Sequence, residues 1–219
     1  MPRPRVILHN AVSLDGRTEG FPADLGAYYG LAAAFNEDAT LVGSETVLKA
    51  PMETADGEAI PAEKPDDLPL LVVPDSRGRI RGWKIWRRMP FWRDILVLCA
   101  SCTPPDYLAY LRKEGIEALV LGEDRVDLRR ALEALYDRGI STVRVDSGGV
   151  LNGVLLRAGL ADEISLLVHP ALAGGDSAKS LFHAPDPAGP EDAVGLRLSH
   201  CERLAGDLVW LRYEVRQAV

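Results

Sequence analysis

Between residues 68 and 168 the chain alternates short apolar runs with amphipathic stretches, and this alternation constrains its fold most. Strands are predicted over 68–74, 95–99, 117–121, 142–146 and 163–168, with helices over 105–114, 128–138 and 150–158. Short apolar runs bounded by turn signals suit buried strands, and the helical periods between them suit crossover connections. Upstream, 6–12 reads as another buried strand closed at Asp15-Gly16, and Asp24 can cap a helix through Phe35. Residues 39–42 give a short strand, after which Ser44 is expected to cap a brief helix that Pro51 stops. The acidic, proline-containing stretch 52–67 has no periodicity and reads as a loop. The tail, 195–204 and 207–215, reads as two long strands around Ala205-Gly206, a hairpin. Together these predict an α/β fold with three layers: a mixed central sheet, a C-terminal antiparallel hairpin and helices on both faces. No repeat or Gly/Ser linker interrupts the 219 residues, so one domain over 1–219 is expected.

The net charge of −7 opposes a nucleic-acid role, which usually brings a basic excess. Residues 75–93 nevertheless interleave seven Arg/Lys with three of the four tryptophans. Such a stretch can bind single-stranded nucleic acid. On an acidic chain it reads better as a loop supplying cations to a phosphate, its tryptophans packing locally. A subunit contact through Trp83, Trp86 and Trp92 is the other reading. No apolar run reaches the 18 or so residues of a membrane span. The start, Met-Pro-Arg-Pro-Arg, leads into His9, Asn10 and Asp15 and lacks a signal peptide's apolar core, so a cytoplasmic protein is expected. An odd set of cysteines, Cys99, Cys102 and Cys201, suits a reducing compartment. Cys99 and Cys102 have no second pair to complete a zinc site, and the four histidines fall at no metal-ligand spacing, so no metal is expected. His9 and His169 are read as core histidines.

Three glycine-containing turns follow predicted strands: Ser13-Leu14-Asp15-Gly16-Arg17, Val42-Gly43-Ser44-Glu45-Thr46, and Asp146-Ser147-Gly148-Gly149. In open α/β sheets ligands bind beyond strand C-terminal ends, which is where these turns lie. The third opens a helix, whose unpaired N–H groups and dipole favour a pyrophosphate. Its glycines do not follow the dinucleotide fingerprint G-x-G-x-x-G. Each turn also has a purely structural reading.

The same segments resemble, in order along nearly the whole chain, motifs of the reductase domain of the bifunctional riboflavin-biosynthesis deaminase-reductase. They are Ser-Leu-Asp-Gly-Arg (13–17), Val-Gly-Ser-Glu-Thr-Val-Leu (42–48), Asp-Ser-Arg-Gly-Arg (75–79) and the glycine-rich run 147–164. The resemblance implies a dihydrofolate-reductase-like fold, NADPH as cofactor, a ribosylamino-pyrimidine as substrate and a homodimer. It places Ala11, Gly43, Thr46, Gly148, Gly149, Val150, Leu151, Asn152, Gly153 and Val154 against NADPH, and Ser76 with Arg77 and Arg79 at the 2′-phosphate. Asp146, with Asn10 and Ser13, would contact the substrate. It implies no proton donor, and the catalytic residue stays unassigned. Gly149→Val is expected to block cofactor approach and leave the fold near native. Where the family commonly has an Asp and then a phosphate-binding Arg, this chain reads Leu48-Lys49-Ala50-Pro51, and a second family Arg falls on Ala34. The alternatives are a pterin- or dihydrofolate-type reductase, and a nucleotide-binding protein without catalysis.

Overall fold

A computed structural model describes residues 2–50, 64–65, 67–175, 179–186 and 188–216. In chain order the first elements are β1 (Arg5–Ser13), α1 (Leu25–Ala32), β2 (Ala39–Leu41), α2 (Ser44–Lys49), β3 (Leu70–Pro74), α3 (Trp83–Arg88) and β4 (Ile95–Cys99). There follow α4 (Pro105–Lys113), β5 (Glu117–Val120), α5 (Leu128–Tyr136), β6 (Thr142–Val145), α6 (Gly149–Arg157), β7 (Glu163–His169), β8 (Leu196–Arg203) and β9 (Val209–Val215). The chain divides into two compact units, one built from 1–4 and 37–143, the other from 5–36 and 144–219. Each is discontinuous in sequence, which is why no linker marks a boundary.

In the first unit β2, β3, β4 and β5 pair in parallel, with Leu41 beside Val72, Val72 beside Leu96 and Leu96 beside Glu117. Alternate residues of a strand point to opposite faces. Leu71, Val73, Ile95, Val97 and Cys99 cluster with Val47 of α2, Trp83 and Trp86 of α3, and Tyr107 and Leu111 of α4. Val72, Leu96 and Leu98, of opposite parity, are buried as well. Strands covered on both faces explain the continuous apolar runs in the sequence. The run 75–93 is therefore not one loop, because Gly82, at φ 75°, starts α3, and Trp83 and Trp86, three apart, share its inner face. Both indoles are buried core, which overturns the subunit-contact reading for them. Ser44 is not a cap either: Gly43 holds the N-cap position, and the Ser44 hydroxyl accepts a hydrogen bond from Arg79 instead (3.2 Å). Pro51 and most of the expected loop 52–67 lie outside the described residues.

All three cysteines are free. Burial, and then the negative charge of Asp75, push the Cys99 thiol up to about 11, whereas Cys102 and Cys201 are exposed. Since the thiolate is the nucleophile, iodoacetamide at about pH 8 should label Cys102 and Cys201 and spare Cys99 until the protein is denatured. Mass mapping of the alkylated peptides checks this; native labelling of Cys99 at the rate of the other two would contradict it.

The second unit is mixed. β1 runs parallel to β7, setting Asn10 beside Leu166 and Ser13 beside His169, while β9 lies antiparallel to both β7 and β8. The predicted hairpin is β8–β9, turning through Ala205–Asp207 with Gly206 at φ 72°. Its interior holds a closed polar chain. Trp210 Nε1 donates to Ser165 Oγ (2.9 Å), which lies 3.0 Å from His9 Nδ1. His9 Nε2 reaches the Tyr28 carbonyl (3.1 Å), and the Tyr28 hydroxyl donates to the His9 carbonyl (2.9 Å). A carbonyl only accepts, so Nε2 carries the proton and Nδ1 accepts from Ser165. Every polar group in this chain finds a partner, and α1 is fastened to β1 by it. His169, also buried, accepts the Asp24 N–H at Nε2 (2.9 Å). Both histidines are thus core residues. No helix among the described residues is long and apolar enough to cross a membrane.

Candidate active site

The second unit brings three predicted segments together. At the end of β1, Asn10 donates from Nδ2 to the Ser147 carbonyl (2.8 Å), joining β1 to the turn that opens α6. Asn152 donates from its own Nδ2 to Asn10 Oδ1 (2.8 Å). Both polar ends of Asn10 are committed internally. Ser13, buried, donates to Asp15 Oδ1 (2.7 Å) and accepts from the Arg17 N–H (3.0 Å), which closes the turn. Asp15 also accepts the N–H groups of Ala173 (3.0 Å) and Gly174 (2.8 Å). The Ser13 hydroxyl first, then these two N–H groups, hold its carboxyl well below the usual carboxylate range. Ser13 and Asp15 therefore shape this edge.

The glycines of α6 divide into two kinds. A Cβ on Gly149 would lie 2.2 Å from the Ser180 carbonyl oxygen, and one on Gly153 would lie 2.3 Å from that of His183. The chain at 180–183 crosses α6 over these two positions, and the His183 N–H donates to the Gly149 carbonyl (2.9 Å). Gly149 and Gly153 are required by packing, so the expectation that Gly149→Val spares the fold is corrected. Gly148 is different: it is exposed, and a Cβ there would meet nothing within 4 Å. It occupies the N-cap with no side-chain cap bond. The first N–H groups of α6 have no intrahelical partner, and at Gly148 an anion can approach them. Val150 and Val154 are exposed on the same helix, Leu151 is half-buried, and the Asn152 side chain is wholly buried.

Asp146, half-buried, pairs with Arg144 (3.3 Å), whose side chain is only 4% exposed. Burial first, and then the charge of Asp146, raise the hydroxyls of Tyr28 and Tyr29 above the ordinary phenol range. Both phenols stay protonated, and Tyr29 is half exposed. Sequence reasoning missed the tyrosines, Arg144 and the 180–183 crossing. Two signals were present: Arg144 and Asp146 are two apart at the end of the predicted strand 142–146, and Gly149 and Gly153 are four apart on one helix face.

The first unit brings the other two motifs together. Arg79 pairs with Glu45 (2.6 Å) and donates to Ser44, joining the turn after β3 to the one after β2. Gly43 and Thr46 shape the latter, the Thr46 N–H donating to the Gly43 carbonyl (3.0 Å). Ser76 Oγ accepts the Val126 N–H (3.0 Å), and the Ser76 carbonyl accepts from Thr103 (2.9 Å). Asp75, buried, accepts the Ile80 N–H (2.9 Å). A Cβ on Gly78, at φ 61°, would sit 2.7 Å from the Tyr107 ring, so only glycine fits beneath this turn. Arg77 is exposed and makes no ion pair among the described residues. The held turn leaves Ser76 a hydroxyl proton and presents a cation.

The parallel strands joined through helices and the terminal antiparallel hairpin are those of the dihydrofolate-reductase-like class. The model of the RibD C-terminal domain matches residues 4–210, and the chain belongs to that family. It is 31% identical to a protein of Methanothermobacter thermautotrophicus named 2,5-diamino-6-ribosylamino-4(3H)-pyrimidinone 5′-phosphate reductase, over 98% of this chain and 99% of that protein. A protein of the same name from Archaeoglobus fulgidus is 31% identical over 79% of this chain and 83% of its own length. Among solved structures, a pyrimidine reductase-like protein of Corynebacterium diphtheriae superposes with a TM-score of 0.73 at 19% identity, covering 98% of this chain and 93% of its own.

Proposed function

We propose that this chain is an NADPH-dependent oxidoreductase of riboflavin biosynthesis that reduces a phosphoribosylamino-pyrimidine to its ribitylamino product. The observation that carries the reading is the 31% identity, over nearly the whole length of both chains, with a protein named 2,5-diamino-6-ribosylamino-4(3H)-pyrimidinone 5′-phosphate reductase. The geometry adds a fit for the cofactor: an uncapped helix N-terminus at exposed Gly148, with nothing where a Cβ would lie. When bound, NADPH supplies the hydride, and the protein binds, orients and excludes water. Backbone N–H groups of the Gly148 turn would hold its pyrophosphate, with Ala11, Val150, Leu151 and Val154 beside them. Ser76, Arg77 and Arg79 would hold the 2′-phosphate, with the turn of Gly43 and Thr46 beside Arg79. Asp146 would accept hydrogen bonds from amino and amide N–H groups of the pyrimidine. The protein is proposed to act in the cytoplasm as a homodimer.

The assay supplies the diaminopyrimidinone phosphate and follows NADPH oxidation, with a riboflavin-pathway reductase as positive control. Turnover is the expected result; none, with brisk reduction of a dihydropterin instead, would overturn the substrate assignment. NADPH should bind at least tenfold more tightly than NADH, about 1.4 kcal/mol. Replacing Arg77 and Arg79 together by Ala should remove most of that preference. Equal affinities for the two cofactors in calorimetric titration of the wild type would sink the phosphate reading.

A further inference from the structure

We infer that Asn152 is a positioning residue, whose buried amide directs the Gly148 N–H toward the ligand side; the inference rests on the pyrophosphate seat proposed above. Asn152 is wholly buried on α6. Its Nδ2 faces three oxygens: Asn10 Oδ1 (2.8 Å), the Leu181 carbonyl (3.2 Å) and the Ser147 carbonyl (3.3 Å). An amide nitrogen has two hydrogens, so one is shared between two of these acceptors. Turning the amide over would set Oδ1 against three acceptors, so the surroundings fix its orientation. In that orientation Oδ1 is buried without a hydrogen-bond partner among the described residues. An unpaired buried acceptor destabilises the fold. A side chain present only to fill space would not carry one; it is the donor edge that the site uses.

The three acceptors belong to three segments: β1, the turn before α6, and the chain that crosses α6. The Ser147 carbonyl accepts from both amides, since Asn10 Nδ2 also donates to it (2.8 Å). The peptide linking Ser147 to Gly148 is planar and trans, so its C=O and N–H point in opposite directions. Holding that carbonyl inward on two buried amides aims the Gly148 N–H outward. Gly148 is exposed and uncapped, and this N–H joins the unpaired N–H groups of the first turn of α6. The amide pair thereby sets an anion donor without touching the anion.

Asn152→Asp tests the inference, since it keeps shape and turns the donor edge into an acceptor facing three oxygens. Two probes are titrated calorimetrically into the full chain: NADPH, and adenosine 2′-monophosphate, which has no pyrophosphate. The expected result, in protein that is native by circular dichroism, is at least tenfold weaker NADPH binding with the monophosphate changed less than twofold. Unchanged NADPH affinity, or parallel weakening of both probes, would overturn the positioning role. If Asn152→Asp does not fold, Asn10→Ala removes the second donor on the Ser147 carbonyl and must give the same split between probes. Gly148→Val reports separately on the seat: normal NADPH binding there would remove the seat itself, whatever Asn152 does.

Discussion

Gly149→Val is expected to lower the thermal midpoint by roughly 6–12 °C, the consequence of about 3 kcal/mol of overpacking in a chain of this size. Even the first added carbon would lie 2.2 Å from the Ser180 carbonyl oxygen, and that atom is backbone, which cannot swing aside. The crossing chain is held there by the His183 N–H on the Gly149 carbonyl and the Leu181 N–H on the Gly16 carbonyl (3.0 Å). Relief would require both bonds to shift. One residue earlier the outcome reverses. Gly148 has φ −77° and ψ 176°, extended backbone open to any residue, and space around it. Gly148→Val should fold with its midpoint within about 2 °C of wild type and lose at least tenfold in NADPH affinity. Thermal denaturation followed by circular dichroism, with calorimetric titration of NADPH, separates the two. Equal midpoints for both variants would show that 180–183 does not need the glycine.

Asp146→Asn is expected to reduce turnover about 100-fold, equivalent to roughly 2.7 kcal/mol of transition-state stabilisation. NADPH affinity should move less than threefold, under about 0.7 kcal/mol. Asparagine keeps the shape and one oxygen for Arg144, but its other edge becomes a donor. Pyrimidine N–H donors would then face an N–H, and an interaction with a charged acceptor would be lost. Tyr28 and Tyr29, protonated because burial and the Asp146 carboxylate raise their hydroxyls, should titrate closer to the ordinary phenol range in the variant. Spectrophotometric titration of the phenols checks the electrostatic half, and steady-state rates with the pyrimidine phosphate check the catalytic half. Turnover within threefold of wild type in the folded variant would remove Asp146 from the substrate.

Most elements were legible because their cause is local. β4 is five consecutive buried residues, Ile95–Cys99, and the sequence shows an uninterrupted apolar run there. Asp24 accepts from the Ala27 N–H (2.8 Å) as an N-cap should, three residues from its target. The helix α3 escaped because Trp83 and Trp86 sit among arginines, and a charged surround reads as surface. Lys and Arg stems cover apolar surface while their charges stay in water, so composition could not report that the indoles were inside. Ser44 failed for a related reason: its hydroxyl is drawn to Arg79, 35 residues away, and short-range capping preference cannot anticipate that.

The α/β class, the terminal hairpin and the family could be read from the sequence alone. All of these follow from periodicity, from turn chemistry, or from motifs short enough to be read along the chain. The tertiary structure decided which glycine of the pair at 148 and 149 is open, since that depends on where 180–183 crosses α6. It also decided that Asn152 donates to Asn10, that both amides donate to the Ser147 carbonyl, and that the Ser13 hydroxyl bonds within its own turn. Burial and distance to residues remote in sequence set those roles, and no spacing within a motif encodes either quantity.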